Sequence, residues 1–523
     1  MKSVIAILSL IFLLACSESD KSQNKQPQNT GSAESSSSAG PDDWSLGYMV
    51  AVANPDATDA AAQMLARGGH AVDAAIAAHA VLGLVEPESS GLGGGGFMLV
   101  YDRAGGDVRF LDGRETAPAR AAPDMFMRDG EVLGFLDAWQ SGHAVGVPGT
   151  VALYRMAHDQ YGKLPWADLF EPAIRLASEG FEVTGKLAGY LPQLAEITRL
   201  DENPGAAEYF YPGGEPLQAG DIVRNPEYAR TLRRIAEEGP SAFYTGEIAE
   251  AMATAAQAGP NGGTLTAEDI RDYAAVEREA ICGPWRSYSI CSATPPSSGA
   301  MQIMVANLYD LLLPDNASMA QRITAFVDAQ RLAYADRDHY FADPDHVNVP
   351  VRELLDPRYL EHRADNPVDP GATPEHGDPA AVLGADTAAV WAEDSTREAA
   401  GTSHLSIVDS EGNALSATMT VESAFGSSRW AAGFLLNNEM TDFAREYDPD
   451  GLEAANRVRP GARPRSSMSP TIVLDTDNAL QMVTGSPGGN SIPAYTAKSL
   501  LGILDWGMSV EEVVAFPNIV ARG

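Results

Sequence analysis

The feature that most limits how this chain can fold is a change of pattern at residue 401. Residues 371–400 are rich in Ala, Gly, Pro, Asp and Glu and read as an exposed linker. Directly after Gly401 the sequence becomes alternating and β-branched. Residues 404–408 and 414–421 are separated by Asp409-Ser410-Glu411-Gly412-Asn413, which predicts a hairpin. Residues 471–474 and 480–484, split by Asp475-Thr476-Asp477-Asn478, predict a second one. Before the linker, helical patches alternate with Pro- and Gly-rich joints over 150–390, with no convincing repeat and no transmembrane span. Nearer the start, Asn54-Pro55 is a good N-cap and N1 pair for an Ala-rich helix that should end at Gly68-Gly69, and a second such helix is expected from about Ala71. Helices before residue 401 and strands around it predict a layered α+β fold, its sheet surfaces covered by helices. A length of 523 residues leaves the number of domains open.

Charge and composition exclude several partners. An apolar content of 45% with 20% charged residues is that of a packed protein. The 71 acidic residues outnumber 36 basic ones, and the resulting −35 repels nucleic acid and anionic lipid surfaces. This acidity reads as solvation in salty surroundings rather than as a function. Residues 88–96 (Glu88-Ser89-Ser90-Gly91-Leu92-Gly93-Gly94-Gly95-Gly96) cannot be regular structure and run straight into strand-like Phe97-Met98-Leu99-Val100-Tyr101. They do not fit a phosphate cradle, because no Lys or Ser/Thr follows at P-loop spacing and no helix opens after them. Cys282 and Cys291 flank Pro284-Trp285-Arg286-Ser287, which looks like a hairpin connection. They are either a disulfide or two inert thiols, since a metal needs more ligands than these two supply. No metal or other cofactor is expected.

The first residues read as a targeting segment. Met1-Lys2-Ser3 precedes an apolar run over 4–15, too short for a membrane-spanning helix but suited to a secretory signal. The run ends in Leu13-Leu14-Ala15-Cys16, which resembles a bacterial lipobox with Cys16 as the lipidated first residue of the mature protein. The alternative is a plain signal peptide with an incidental Cys. Ser17 fits outer-membrane sorting, and the Ser-, Gln-, Asn- and Gly-rich stretch over 17–44 reads as a flexible tether. The expected location is the periplasmic side of a bacterial membrane, the outer one favoured, with membrane contact through the lipid anchor alone.

A linker that ends in Gly401 and meets Thr402-Ser403-His404 at the head of a strand is a place where cleavage would expose a threonine. A threonine hydroxyl is a poor nucleophile, but an N-terminal one carries its own base: the α-amino group, with a pKa of about 7.7–8.0, is neutral enough near pH 7 to take the proton. The same hydroxyl can first attack the Gly401 carbonyl, where no side chain hinders it. Downstream, Gly485-Ser486-Pro487-Gly488-Gly489 follows a strand directly, so its N–H groups can line a concavity for a developing oxyanion. Taken singly, each is also an ordinary strand start or turn.

Together with several ordered motifs, these residues resemble the γ-glutamyltranspeptidase family over roughly 47–523. The motifs are 86–98, Gly146-Val147-Pro148-Gly149-Thr150, Pro295-Pro296-Ser297-Ser298-Gly299, Thr402-Ser403-His404, Asn437-Asn438-Glu439-Met440, Arg465-Ser466-Ser467-Met468-Ser469-Pro470 and 485–489. The resemblance implies the four-layer αββα sandwich of the N-terminal nucleophile (Ntn) hydrolases. It also implies cleavage between Gly401 and Thr402 into a large subunit (45–401) and a small one (402–523), which pair as a heterodimer. Thr402 is then the nucleophile, Thr420 orients its hydroxyl, and the N–H groups of Gly488 and Gly489 form the oxyanion hole. Arg114, with Ser466 and Ser467, would hold the substrate's α-carboxylate, as a planar guanidinium can do bidentately. Glu439 and Asp442 would grip its α-ammonium. His404 reads as structural support rather than as a proton carrier. The implied activity is transfer of the γ-glutamyl group of glutathione and related amides to water or to amino acid and peptide acceptors. The other readings are a glutaryl or β-lactam acylase of the same fold and a non-catalytic surface lipoprotein.

The sequence departs from the family pattern in four places. Glu422 stands where well-known members carry Asn, adding a third carboxylate near the ammonium site, and Thr441 replaces an Asp. Residues 444–464 look shorter than in lid-bearing members, leaving Tyr447 as a possible cover. The chain ends at Gly523, ahead of strands and helices that the family pattern would supply, so the small subunit reads as truncated and is expected to mature poorly.

Overall fold

The computed structural model describes residues 47–522 except 260, 367–368, 385–389, 395, 397 and 449–450; the Cys16 lipobox and the 17–44 tether lie outside the described residues. Ten strands build two main antiparallel sheets: β1 (Met49–Val52), β2 (Gly95–Asp102), β3 (Asp107–Gly113), β4 (Val276–Glu279), β5 (Ile281–Trp285), β6 (Tyr288–Ser292), β7 (Thr402–Val408), β8 (Ala414–Thr420), β9 (Thr471–Asp475) and β10 (Leu480–Thr484). The first sheet runs β1-β7-β8-β2-β3-β4 and the second β10-β9-β6-β5. Both expected hairpins are present, β7 with β8 and β9 with β10.

The two-residue period of a strand sets the layers. On the first sheet Met98, Val100, Leu405, Ile407, Leu415 and Met419 face a helical layer that includes α1 (Pro55–Ala66), α2 (Ala71–Val85) and α3 (Thr150–Tyr161). The intervening Phe97, Leu99 and Tyr101 point the other way and meet Cys291, Ile472 and Leu474 of the second sheet. Val473 and Ile290 turn from that seam to a second helical layer with α4 (Ala300–Leu312), α5 (Met319–Tyr340) and α6 (Ile492–Leu504). The order is helix, sheet, sheet, helix.

Both Ala-rich helices start where the sequence places them. Asn54 caps α1 through Asp56 N–H at 2.9 Å with Pro55 in its first turn, and His70 and Asp73 form a reciprocal cap on α2. Every residue of α2 is buried, as befits a helix apolar on nearly all sides. Truncating a side chain there, Ile76→Ala for example, should cost about 2–5 kcal/mol.

Two expectations change and one open alternative is decided. The strand after the Gly-rich loop begins at Gly95, not Phe97: Gly95 and Gly96 pair with Thr420 and Met419. Bare backbone is what this pairing needs, since a Cβ on Gly96 would lie 2.4 Å from the Thr418 carbonyl oxygen and one on Gly94 1.9 Å from that of Thr420. The linker is not uniformly exposed, because Asp378 caps a short helix over Pro379–Leu383 and Thr396 and Glu398 are buried. Cys282 and Cys291 face each other on β5 and β6 and form a disulfide. No helix of the described residues is long and apolar enough to cross a membrane.

Candidate active site

The face of the β7–β8 hairpin that looks into the seam changes character along its length. At the far end Val408 and Ala414 join the apolar contact between the sheets. At the near end the same alternation supplies Ser406, Ser416, His404, Thr418, Thr402 and Thr420, a polar patch where the hairpin opens. Register places Thr402 opposite Thr420, which has Gly95 on its other side. Thr420 donates its hydroxyl proton to the Gly401 carbonyl oxygen at 2.6 Å and accepts the Glu422 N–H at 2.8 Å. Its oxygen lies 3.5 Å from the Thr402 hydroxyl. With its one proton committed to the carbonyl, Thr420 can only accept from Thr402, so it contacts the Thr402 hydroxyl and the Gly401 carbonyl at once. Gly401 has no room for a side chain, since a Cβ would sit 2.4 Å from the Glu422 carbonyl oxygen.

His404 is engaged by hydroxyls of the hairpin itself. Its ring bridges Thr418 Oγ1 at 2.9 Å and Ser406 Oγ at 3.0 Å, and burial pushes its pKa down to about 3. The ring is neutral and both nitrogens are occupied.

Arg114, Glu115, Glu422, Glu439 and Asp442 converge at one end of the pocket, all buried. Arg114 pairs with Glu439 and, at 2.7 Å, with Asp442, and donates to the carbonyls of Pro464 (3.2 Å) and Arg465 (2.9 Å). One guanidinium therefore serves three carboxyls, Glu439, Asp442 and, at 3.9 Å, Glu115, with Glu422 as a fourth close by. Among the described residues Glu439 Oε2 and Asp442 Oδ1 find no donor. Burial raises both carboxyls well above the ordinary range; Asp442 is raised further by the Glu422 and Glu398 charges, while Glu439 feels those of Asp442 and Glu422. Burial also raises Glu422, whose backbone takes a positive φ of 78°. Its carboxylate accepts from the Ser423 hydroxyl, from Asn438 Nδ2 at 2.5 Å and from the Ala399 N–H of the linker at 2.8 Å. Asn437 holds this end in place: its amide accepts from the Gly146 and Glu439 N–H groups and donates to the carbonyls of Gly93 and Gly146. Three of the sequence motifs thus meet on one side chain.

The other end is built on Ser466 and Ser467, which the 295–299 motif braces: Ser298 donates to the Ser466 carbonyl at 2.6 Å, and Ser466 N–H to that of Pro296 at 2.8 Å. Here the sequence reading missed three residues. Glu398, from the linker, accepts the Ser467 N–H at 2.6 Å and pairs with Arg337, while Arg465 Nε lies 3.8 Å away. Arg337 also donates to Ser467 Oγ at 2.8 Å. Burial opposes the Glu398 charge, but Arg337 and Arg465 outweigh it and hold this carboxyl below its ordinary range. The linker backbone lies on the predicted oxyanion loop, where a Cβ on Gly489 would be 2.3 Å from the Ala399 carbonyl oxygen. Arg114, Thr402, Thr420, Glu422, Glu439, Asp442, Ser466, Ser467 and Gly489 line what space remains, about 10 Å³. Tyr447 lines a different cavity of about 490 Å³, with Asp394, Arg445 and Arg457.

A threonine at a strand head, set against the carbonyl of the glycine before it and flanked by charged ends of opposite sign, matches the family pattern read from the motifs. The family model for gamma-glutamyltranspeptidase matches residues 57–523. The chain belongs to the γ-glutamyltranspeptidase family. It is similar to the glutathione hydrolase proenzyme of Bacillus subtilis, at 36% identity over 481 residues, 90% of this chain and 80% of that one. Among solved structures, the cephalosporin acylase of Bacillus halodurans matches with a TM-score of 0.78 and 25% identity, over 95% of this chain and 86% of that one. The γ-glutamyltranspeptidase of Pseudomonas nitroreducens complexed with L-DON matches with a TM-score of 0.56 and 34% identity, over 64% of this chain and 97% of that one. As a γ-glutamyltranspeptidase family member with the Ntn-hydrolase fold, the chain is an enzyme made as a precursor.

Proposed function

We propose that this protein cleaves itself at Gly401–Thr402 and then hydrolyses glutathione and related γ-glutamyl amides, or transfers their γ-glutamyl group to amino acids and peptides. The observation that carries the reading is the Thr420 hydroxyl on the Gly401 carbonyl oxygen, with the Thr402 hydroxyl beside it. In maturation Thr402 Oγ1 attacks the Gly401 carbonyl carbon while the Thr420 O–H takes the developing negative charge. The C–N bond breaks, the nitrogen leaves as the Thr402 amine, and water hydrolyses the resulting ester to a Gly401 carboxylate. Large and small subunits, 45–401 and 402–523, remain paired.

In turnover the freed amine accepts the Thr402 hydroxyl proton as the oxygen attacks the substrate's γ-carbonyl. Gly488 and Gly489 N–H groups hold the oxyanion, and the leaving amine takes the proton. Water or an acceptor amine then cleaves the γ-glutamyl-Thr402 ester. Glu422, Glu439 and Asp442 receive the α-ammonium and Ser466 and Ser467 the α-carboxylate; Arg114, which the resemblance gives to the carboxylate, is held on Glu439 and Asp442 at the ammonium end. Cys16 anchors the protein by lipid on the periplasmic side of a bacterial membrane, the outer one favoured; the support for this is the sequence of residues 1–17.

The acylase reading draws on the likeness to cephalosporin acylase. Against it stands the excess of carboxyls at one end, which suits a cation that a glutaryl group lacks. The cleaved enzyme should hydrolyse γ-glutamyl anilide far faster than glutaryl anilide, and a dipeptide acceptor separates transfer from hydrolysis. A preference for glutaryl anilide would favour the acylase.

A further inference from the structure

The last residues of the linker put two groups into the pocket. The Glu398 carboxylate sits on the Ser467 N–H and on Arg337, and one residue later the Ala399 N–H points at the Glu422 carboxylate. This is an anion and an N–H donor, each on the group that the γ-glutamyl reading gives to the like-charged end of the donor substrate. The correspondence has a chemical reason. In self-cleavage the linker is the acyl group on Thr402, as the γ-glutamyl unit is in turnover, so both lie on the same side of the nucleophile. With about 10 Å³ left over Thr402, the linker end must move before a donor can enter.

Its departure leaves a defined demand. Arg337 is fully buried on α5, with Nε on Ser298 Oγ at 2.9 Å and Nη1 on Asp338 at 2.8 Å. Nη2, the edge facing the pocket, is shared between Glu398 and Ser467 Oγ. Arg465 Nε and Nη2 have no hydrogen-bond acceptor among the described residues, and Glu398 is one of the two carboxylates near them, Asp394 being the other. Removing Glu398 leaves Arg337 with Asp338 and Arg465 with Asp394 but takes the carboxylate from the Nη2 edge that faces the pocket, which is costly unless another anion takes the place.

Building on the γ-glutamyl reading, we propose that Arg337 joins the Ser467 N–H in binding the donor's α-carboxylate, and that Glu398 fills this subsite as a built-in surrogate until the linker leaves. Arg337 is then a specificity-determining residue on a helix that carries none of the family motifs quoted above. In the cleaved enzyme the tail ending at Gly401 competes with the donor for the same subsite.

The test compares γ-glutamyl anilide with 4-aminobutanoyl anilide, which keeps the ammonium and lacks the α-carboxylate. In cleaved Arg337→Gln, KM for γ-glutamyl anilide should rise about 10- to 100-fold, the effect of losing a charged hydrogen bond. KM for 4-aminobutanoyl anilide should stay within about 2-fold, on the same reasoning that the lost bond is one this substrate never makes. Arg337→Lys, which keeps the buried charge, should move both values in the same directions by less and serves if the Gln variant does not fold. Equal losses on both substrates would overturn the assignment while leaving the γ-glutamyl reading intact. A wild-type enzyme that turns over neither substrate would instead overturn that reading. Glu398→Ala should lower the donor KM a few-fold by removing the competitor, and an unchanged KM would overturn the surrogate.

Discussion

The two ends of the pocket use the same residue types in opposite proportions. Around Arg114, three carboxyl groups share one guanidinium, with Glu422 beside them, and burial pushes Glu115, Glu439 and Asp442 upward. Around Glu398, two guanidiniums hold one carboxyl below its ordinary range. All these groups are buried, so burial alone does not decide their state; the neighbours do. A cluster of carboxyls with unused oxygens favours a cation that brings its own N–H groups, and a guanidinium edge that loses Glu398 favours an anion. This polarity is the one that the proposed γ-glutamyl donor, an amino acid at its α-carbon, asks of the pocket around Thr402.

The largest effect should come from the residue between the ends. Thr402→Ala should leave a single uncut chain on a denaturing gel and lower γ-glutamyl anilide hydrolysis by at least about 10³-fold. Thr420→Val removes the hydroxyl from the Gly401 carbonyl and should slow maturation about 10²- to 10³-fold, followed as the appearance of two subunits over time. Neither change should alter the far-ultraviolet circular dichroism.

Asp442→Asn probes the acidic end. It should lower kcat/KM for γ-glutamyl anilide about 10- to 100-fold and leave glutaryl anilide nearly unaffected. Equal losses would erase the distinction between the ends. A pH series sharpens the same point. Because the Glu439 and Asp442 pKa values are raised, the carboxyls of the empty site gain protons well above the ordinary carboxylate range as pH falls. An ammonium needs them ionised, so kcat/KM for γ-glutamyl anilide should fall with decreasing pH through that range, and more steeply than for glutaryl anilide. The smallest expectation concerns His404: its ring protons should show no titration by NMR between pH 5 and 8, as its pKa is pushed down to about 3.

Much of this was legible before the fold was known. The two alternating runs around a five-residue connection determine the register that sets Thr402 against Thr420. Family resemblance supplied Arg114, Glu422, Glu439, Asp442, Ser466, Ser467, Gly488 and Gly489, and all but Gly488 line one pocket. Glu398 was hidden because its surroundings have the composition of an exposed linker, and composition does not register one buried carboxylate among solvated ones. Arg337 was hidden because a charged residue in a helix reads as part of a solvated face. A signal was present nonetheless. Phe326, Ala329, Gln330, Ala333, Asp336, Arg337 and Tyr340 continue the helical stripe that α5 buries, so the period places Asp336 and Arg337 on its inner face. The role of the Gly-rich loop was also not legible, since close backbone approach to Thr418 and Thr420 is a tertiary fact.

Intact mass combined with N-terminal sequencing of the purified full-length protein tests the central claim most directly. The account predicts two chains, the smaller beginning Thr402-Ser403-His404 and accompanied by γ-glutamyl anilide hydrolysis. An active enzyme with an uncut chain, or one cut at another bond, would contradict it.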